Sequence, residues 1–248
     1  MSQVRPKVAL VTGANRGIGY EIARQLAENG VHTLVAGRRA DAVREAVTSL
    51  RGTGADVSPL VLDVTKPVSI ATAAAKVAEK YGRLDILVNN AGIRVEEYGR
   101  RPSEQPMAQW RATFDTNLFG VVEVTTAFLP LIRRSEAGRI VNVSSLLASL
   151  TKQSDPTSYV YSDAFKSLPA YSASKSAVNS WTVHLAYELR NTPIKVNSVH
   201  PGYTKTDLND GAGDLEVSVG ARTSVAMALL AVDGPSGSYV HLGEVLPW

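Results

Sequence analysis

Val8-Ala9-Leu10-Val11-Thr12-Gly13-Ala14-Asn15-Arg16-Gly17-Ile18-Gly19 is the stretch on which the fold of this 248-residue chain turns. Its first four residues are uniformly apolar and stop at Thr12-Gly13, the pattern of a short strand buried on both faces. From Gly17 to Asn29 the apolar residues Ile18, Ile22 and Leu26 recur at helical spacing, and Gly30 ends the run. Between strand and helix lies G-x-x-x-G-x-G. Glycine lets a backbone turn tightly and approach a ligand closely. The free N–H groups at a helix start favour an anion such as a pyrophosphate. This spacing differs from the commoner G-x-G-x-x-G, and alone it also describes a tight strand-to-helix turn without a ligand.

Outward from this unit the alternation continues. Apolar runs at Thr33–Ala36, Leu60–Leu62, Ile86–Val88, Ile140–Val143 and Ile194–Val199 read as strands. Helical patterns separate them at about 40–50, after Pro67, at about 104–134 and at about 170–190. Short apolar strands alternating with helices predict an α/β fold, a doubly wound parallel β-sheet with helices on both faces. This is the Rossmann arrangement, with ligands outside the carboxyl ends of the strands. No linker, repeat or low-complexity tract divides the chain, so residues 1–248 are expected to form a single domain. Two segments break the rhythm. Residues 145–168 read as an elongated loop, and residues 207–218, rich in Gly and Asp, as a mobile lid.

Composition narrows the function. The chain is 44% hydrophobic and 20% charged with a net charge of +3, ordinary for a soluble globular protein. No apolar run approaches the roughly 18–20 residues that span a bilayer, and Met1–Lys7 lacks the apolar core of a signal peptide. Neither a Lys/Arg block nor a basic-aromatic patch points to nucleic acid. The chain has no cysteine, which excludes disulfides, thiolate metal sites and a cysteine nucleophile. A cytoplasmic location agrees with this, and no metal site is expected.

The second strand ends Val35-Ala36-Gly37-Arg38-Arg39, without the carboxylate that holds the adenosine ribose in NAD-binding folds. A carboxylate there would repel a 2′-phosphate, whereas an Arg fork grips it. Arg38 or Arg39, with Arg16 from the glycine turn, therefore points to NADP(H). Farther on, Tyr171 and Lys175 stand at i and i+4 on a helix that Pro169 opens, and so share a face. A phenol is a poor acid-base near neutrality, and a nearby ammonium should favour its ionised form. Strand ends at Ser144-Ser145 and at Asn89-Asn90-Ala91-Gly92 should face the same crevice.

Taken in order, Thr12-Gly13-x-x-x-Gly17-x-Gly19, Asp63, Asn89-Asn90-Ala91-Gly92, Asn117, Ser145, Tyr171-x-x-x-Lys175 and Pro201-Gly202 with Thr206 resemble the short-chain dehydrogenase/reductase family over nearly the whole chain. The resemblance implies Tyr171 as proton donor in reduction, Lys175 lowering its pKa and holding the nicotinamide ribose, and Ser145 bonding the substrate oxygen. It implies Asn117 ordering a water that relays protons. Cofactor contacts are implied for Gly13, Asn15, Arg16, Gly17, Ile18, Gly19 and Arg38 at the phosphates. Asp63 and Val64 would meet the adenine, Asn90, Ala91 and Gly92 the adenosine ribose, and Pro201, Gly202, Thr204 and Thr206 the nicotinamide.

The spacing between Ser145 and Tyr171 is longer than in most members, a feature shared with monomeric carbonyl reductases. This leads to the expectation that the segment caps the crevice and hinders tetramer formation, against the alternative of a solvated loop on an ordinary oligomer. A pocket wall of Val95, Leu146, Leu147, Tyr203 and Leu208, without clustered Arg or Lys, suits a small-molecule ketone, aldehyde or alcohol. The leading expectation is an NADPH-dependent carbonyl reductase. A secondary-alcohol dehydrogenase and a non-catalytic NADPH-binding sensor are the alternatives.

Overall fold

The computed structural model describes residues 6–248; the signal-peptide reading of Met1–Arg5 lies outside them. β1 (Val8–Val11), α1 (Gly17–Glu28), β2 (His32–Gly37), α2 (Ala40–Gly52), β3 (Val57–Val61), α3 (Pro67–Tyr81) and β4 (Ile86–Asn89) form the first half. The second half holds α4 (Met107–Phe114), α5 (Gly120–Ile132), β5 (Arg139–Val143), α6 (Leu150–Ser154), α7 (Asp163–Lys166), α8 (Pro169–Glu188) and β6 (Lys195–Val199). α9 (Val217–Gly220), α10 (Arg222–Ala228), β7 (Tyr239–His241) and β8 (Glu244–Val245) close it.

The strands form one sheet in the order β3-β2-β1-β4-β5-β6-β7-β8. Every pairing is parallel except β7 with β8. The order reverses between β1 and β4, which opens a crevice at their carboxyl ends. Both faces are covered, which is why the strands are apolar without alternation. Leu10, Leu87, Phe128 and Leu185 belong to the core on one face, and Val11, Ile22, Val47 and Val225 to the core on the other.

Two sequence expectations change, a third segment gains detail, and two strands appear that were not foreseen. The helix expected over 104–134 is divided: α4 and α5 are separated by a wide π-helical turn, Asp115–Phe119. The expected loop at 145–168 holds a 3-10 turn at Leu146–Ala148 and the helices α6 and α7. The segment read as mobile begins with a 3-10 turn, Asp207–Asn209, closed by reciprocal bonds between Thr206 and Asn209. The strands β7 and β8 were not foreseen. Among the described residues, no helix is long and apolar enough to cross a membrane, and no cluster of potential metal ligands occurs.

Candidate active site

A cavity of about 570 Å³ runs along the carboxyl ends of the strands. The glycine turn forms one end. Gly13 takes φ +62°, and a Cβ there would lie 2.9 Å from Ala91 Cα; a Cβ on Gly19 would lie 2.4 Å from Asn90 Nδ2. Thr12 Oγ1 accepts the N–H groups of Asn90 and Ala91 at 3.0 Å each, and Asn90 Nδ2 donates to the carbonyls of Thr12 and Gly13. The turn and the end of β4 are thus stitched into one wall. α1 starts without a side-chain cap or an acidic residue in its first turn. Its N–H groups and dipole remain available to an anion.

Gly13, Asn15, Arg16, Gly17, Ile18, Gly19, Arg38, Asp63, Val64, Asn90, Ala91, Gly92, Tyr171, Lys175, Pro201 and Thr206 all line this cavity. Arg39 does not; it pairs with Asp41 at 3.1 Å. Arg16 and Arg38 are both exposed, and Arg16 pairs with Asp207 of the following segment at 2.8 Å. Burial would raise the Asp63 carboxyl, but bonds from the Thr65 N–H and hydroxyl and the charge of Arg38 outweigh it and hold it below its ordinary value. Asn117, Ser145, Gly202 and Thr204 lie off the cavity wall. Thr204 is buried and donates to the Pro201 carbonyl at 3.0 Å, so it shapes the turn.

The other end of the cavity is the face of α8 that carries Tyr171 and Lys175. Lys175 is 4% exposed, and its Nζ donates to the Val143 carbonyl at 2.8 Å. The same Nζ lies 5.8 Å from the centre of the Tyr171 ring. Burial pulls Lys175 down to about 8. Tyr171 runs against expectation. Burial pushes its phenol up to about 12; the Ser145 hydroxyl and Arg94 oppose this, while Glu96 and Tyr98 add to it. Desolvation of the phenolate outweighs any help from the neighbouring ammonium.

Ser145 Oγ accepts the Leu147 N–H at 3.3 Å, which leaves its own proton for an oxygen near Tyr171. Tyr239 Oη donates to the Ser145 carbonyl and fixes the backbone. Asn117, fully buried in the π-helical turn, uses its amide on protein groups. Its Oδ1 accepts the Ile93 N–H at 2.8 Å, and its Nδ2 donates to the Ile93 carbonyl and to Ser174 Oγ at 2.9 and 3.1 Å. Oδ1 and Lys175 Nζ each stand 3.4 Å from where a Cβ on Gly92 would be, so a larger residue there would crowd both.

Two features were missed from sequence. Arg94 lines the cavity beside Val95 and donates to the carbonyls of Leu208 and Glu96 at 3.0 and 2.9 Å. His200 is buried, and its Nδ1 accepts the Leu146 N–H at 3.1 Å. Neither stands at a spacing that marks it in the sequence.

A doubly wound sheet with a glycine turn at its switch point and a Tyr-Lys pair facing the same crevice defines a Rossmann-type oxidoreductase. The chain belongs to the short chain dehydrogenase family, whose model matches residues 7–216. Among relatives, it is 39% identical to the short-chain dehydrogenase anuI of Penicillium roqueforti (strain FM164), covering 92% of this chain and 90% of that one. It is 34% identical to a (+)-neomenthol dehydrogenase of Arabidopsis thaliana, over 99% of each chain. The solved structure of actinorhodin polyketide ketoreductase with NADPH superposes with a TM-score of 0.82, at 29% identity and over 98% of each chain.

Proposed function

We propose that this protein reduces a ketone or aldehyde to an alcohol, with NADPH as hydride donor and Tyr171 as proton donor. One observation carries the reading: Tyr171 and Lys175 line the same cavity as the uncapped glycine turn and Arg38. The residues present fit such a cofactor. The glycine turn leaves room where a Cβ would collide, α1 offers free N–H groups, and Arg38 and Arg16 stand beyond it to meet a 2′-phosphate. The NADPH in the ketoreductase structure supports the same choice.

When bound, the reduced nicotinamide supplies the hydride. The chain's own residues handle the proton. As the carbonyl carbon gains the hydride, its oxygen becomes a strongly basic alkoxide, and the Tyr171 hydroxyl gives up its proton to it. A phenol held near 12 stays protonated at neutral pH, which suits a donor better than a base. Ser145 donates to the same oxygen and steadies the developing charge. Lys175, held near 8, can take and release a proton around neutrality and so restores the phenol. Asn117 fixes Ile93 and Ser174 around this path. The reverse reading, oxidation of a secondary alcohol, draws support from the dehydrogenase relative's name. It needs Tyr171 as phenolate, which burial opposes.

The test is a panel of ketones and aldehydes with NADPH, followed at the nicotinamide absorbance. Tyr171→Phe should lower turnover by about a hundredfold or more while NADPH binding, read by fluorescence, stays unchanged. Arg38→Asp should shift preference towards NADH by about tenfold or more. Full activity in Tyr171→Phe, or equal affinity of the wild type for NADH and NADPH, contradicts the reading.

A further inference from the structure

We propose that Glu96 is a positioning residue for Tyr171: it holds the first turn of α8 from outside the helix, and its carboxylate charge bears on the phenol through space. The inference rests on Tyr171 being the proton donor.

Glu96 lies on the connection that follows β4 and is only 3% exposed. Its Oε1 accepts the Tyr171 backbone N–H at 2.7 Å, across 75 residues of sequence. α8 has no cap of its own: Leu168 precedes it with no side-chain bond, and Pro169, at its first position, has no N–H. The Tyr171 N–H is among the helix's unpaired donors. Glu96 supplies the missing acceptor, and a carboxylate there also suits the helix dipole.

Capping alone does not explain the choice. A Ser or Asp at position 168 would cap the helix locally. A buried carboxylate carries a large desolvation cost, and Glu96 Oε2 has no hydrogen-bond partner among the described residues. The groups around it show a second role. Arg94 donates to the Glu96 backbone carbonyl at 2.9 Å, so the cation fixes the loop without bonding the carboxylate. Three residues before Glu96 the Asn117 amide clamps both backbone groups of Ile93. The span from Ile93 to Glu96 is therefore tied at one end to Asn117 and at the other to Tyr171. Around the phenol, Arg94 and Ser145 favour ionisation, while Glu96 and Tyr98 join burial in opposing it; Lys175 faces the ring. Glu96 thus adds to burial, the larger cause, in keeping the proton on Tyr171 until the alkoxide forms.

The test uses the full-length Glu96→Gln and Glu96→Ala variants, with Tyr171→Phe as reference. In alcohol oxidation with NADP+, Tyr171 acts as phenolate, so the rate rises with pH through its ionisation. Glu96→Gln keeps an acceptor and loses the charge: the rising limb should move about one pH unit lower, with KM for NADP+ within about twofold. Amide exchange at Tyr171 should stay slow. Glu96→Ala loses both: exchange at Tyr171 should rise about tenfold, and kcat fall about tenfold with KM little changed. A rising limb that coincides with wild type in Glu96→Gln, or unchanged Tyr171 exchange in Glu96→Ala, overturns the proposal. If Glu96→Ala does not fold, the pH profile of Glu96→Gln decides. If the wild type turns over neither carbonyl nor alcohol, the functional reading fails; the exchange at Tyr171 then still judges the anchor, faster exchange in Glu96→Ala upholding it and unchanged exchange refuting it.

Discussion

Lys175 shows how far function and stability conflict at a single residue. Its ammonium is buried against one carbonyl, and burial pulls its pKa to about 8 from 10.5. Below pH 8 the folded protein must hold that charge out of water, whereas the unfolded chain holds it freely. The cost is therefore full below pH 8 and fades as pH rises towards 10.5, where the unfolded lysine also loses its proton. Lys175→Met should lose turnover, yet without cofactor at pH 7 it should melt a few degrees higher, for a gain on the order of 1 kcal/mol. That advantage should shrink between pH 8 and 9.5, as scanning fluorimetry at several pH values would reveal. Equal melting at pH 7 would mean that the site solvates this charge better than its burial suggests. Lys175 and Tyr171 were legible in the sequence because their i, i+4 spacing is a local property of one helix. Glu96 was not: nothing in the run Val95-Glu96-Glu97-Tyr98 marks it, and only the fold brings it to Tyr171.

At the scale of elements, the strands of the parallel sheet were legible because burial on both faces makes them uniformly apolar. The interruption between α4 and α5 was not. No Gly or Pro stands at Asp115–Phe119, and the wide turn is fixed by a tertiary clamp, the Asn117 amide on Ile93. β7 escaped for its shortness, although Tyr239 within it is fully buried. The 3-10 turn after Ser145 depends on another long-range contact, the Leu146 N–H donating to His200 Nδ1. Burial, with His241 beside it, pushes His200 down to about 3. Between about 3 and 6.5 the unfolded histidine binds a proton that the folded one refuses, so the stability this group contributes is lost as pH falls through that window. Urea melts should show the wild type losing stability from pH 6.5 to 4.5. His200→Asn, which cannot titrate and still offers an acceptor, should lose less. Parallel losses in both proteins would assign the acid sensitivity elsewhere.

At the scale of the molecule, the insertion that precedes Tyr171 binds the chain's last strands to the site. The Ser149 and Thr151 hydroxyls and the Thr151 N–H all donate to the Trp248 carbonyl. Leu246 packs with Leu146, Leu147, Val160, Leu168 and Tyr171. Phe165 meets the Tyr203 ring edge-on at 5.7 Å between centres, so the insertion also touches the turn that leads into the 207–218 segment. These contacts could not be read from residues 145–168 alone, since their partners lie at the far end of the chain. They bear on assembly. An open last strand is a template for pairing with a second copy. Here the outermost strand, β8, is only two residues long and pairs antiparallel with β7, and the insertion anchors the residues that follow. Light scattering of the purified protein should therefore give a mass near 26.5 kDa. A fourfold mass would show that this short edge does not prevent assembly. A twofold mass would direct attention to the helical face, where Phe119, Val183 and Tyr187 are exposed. Val183→Glu on α8 would then return the protein to the mass of one chain, because a charge at the centre of such a contact cannot be desolvated without a partner.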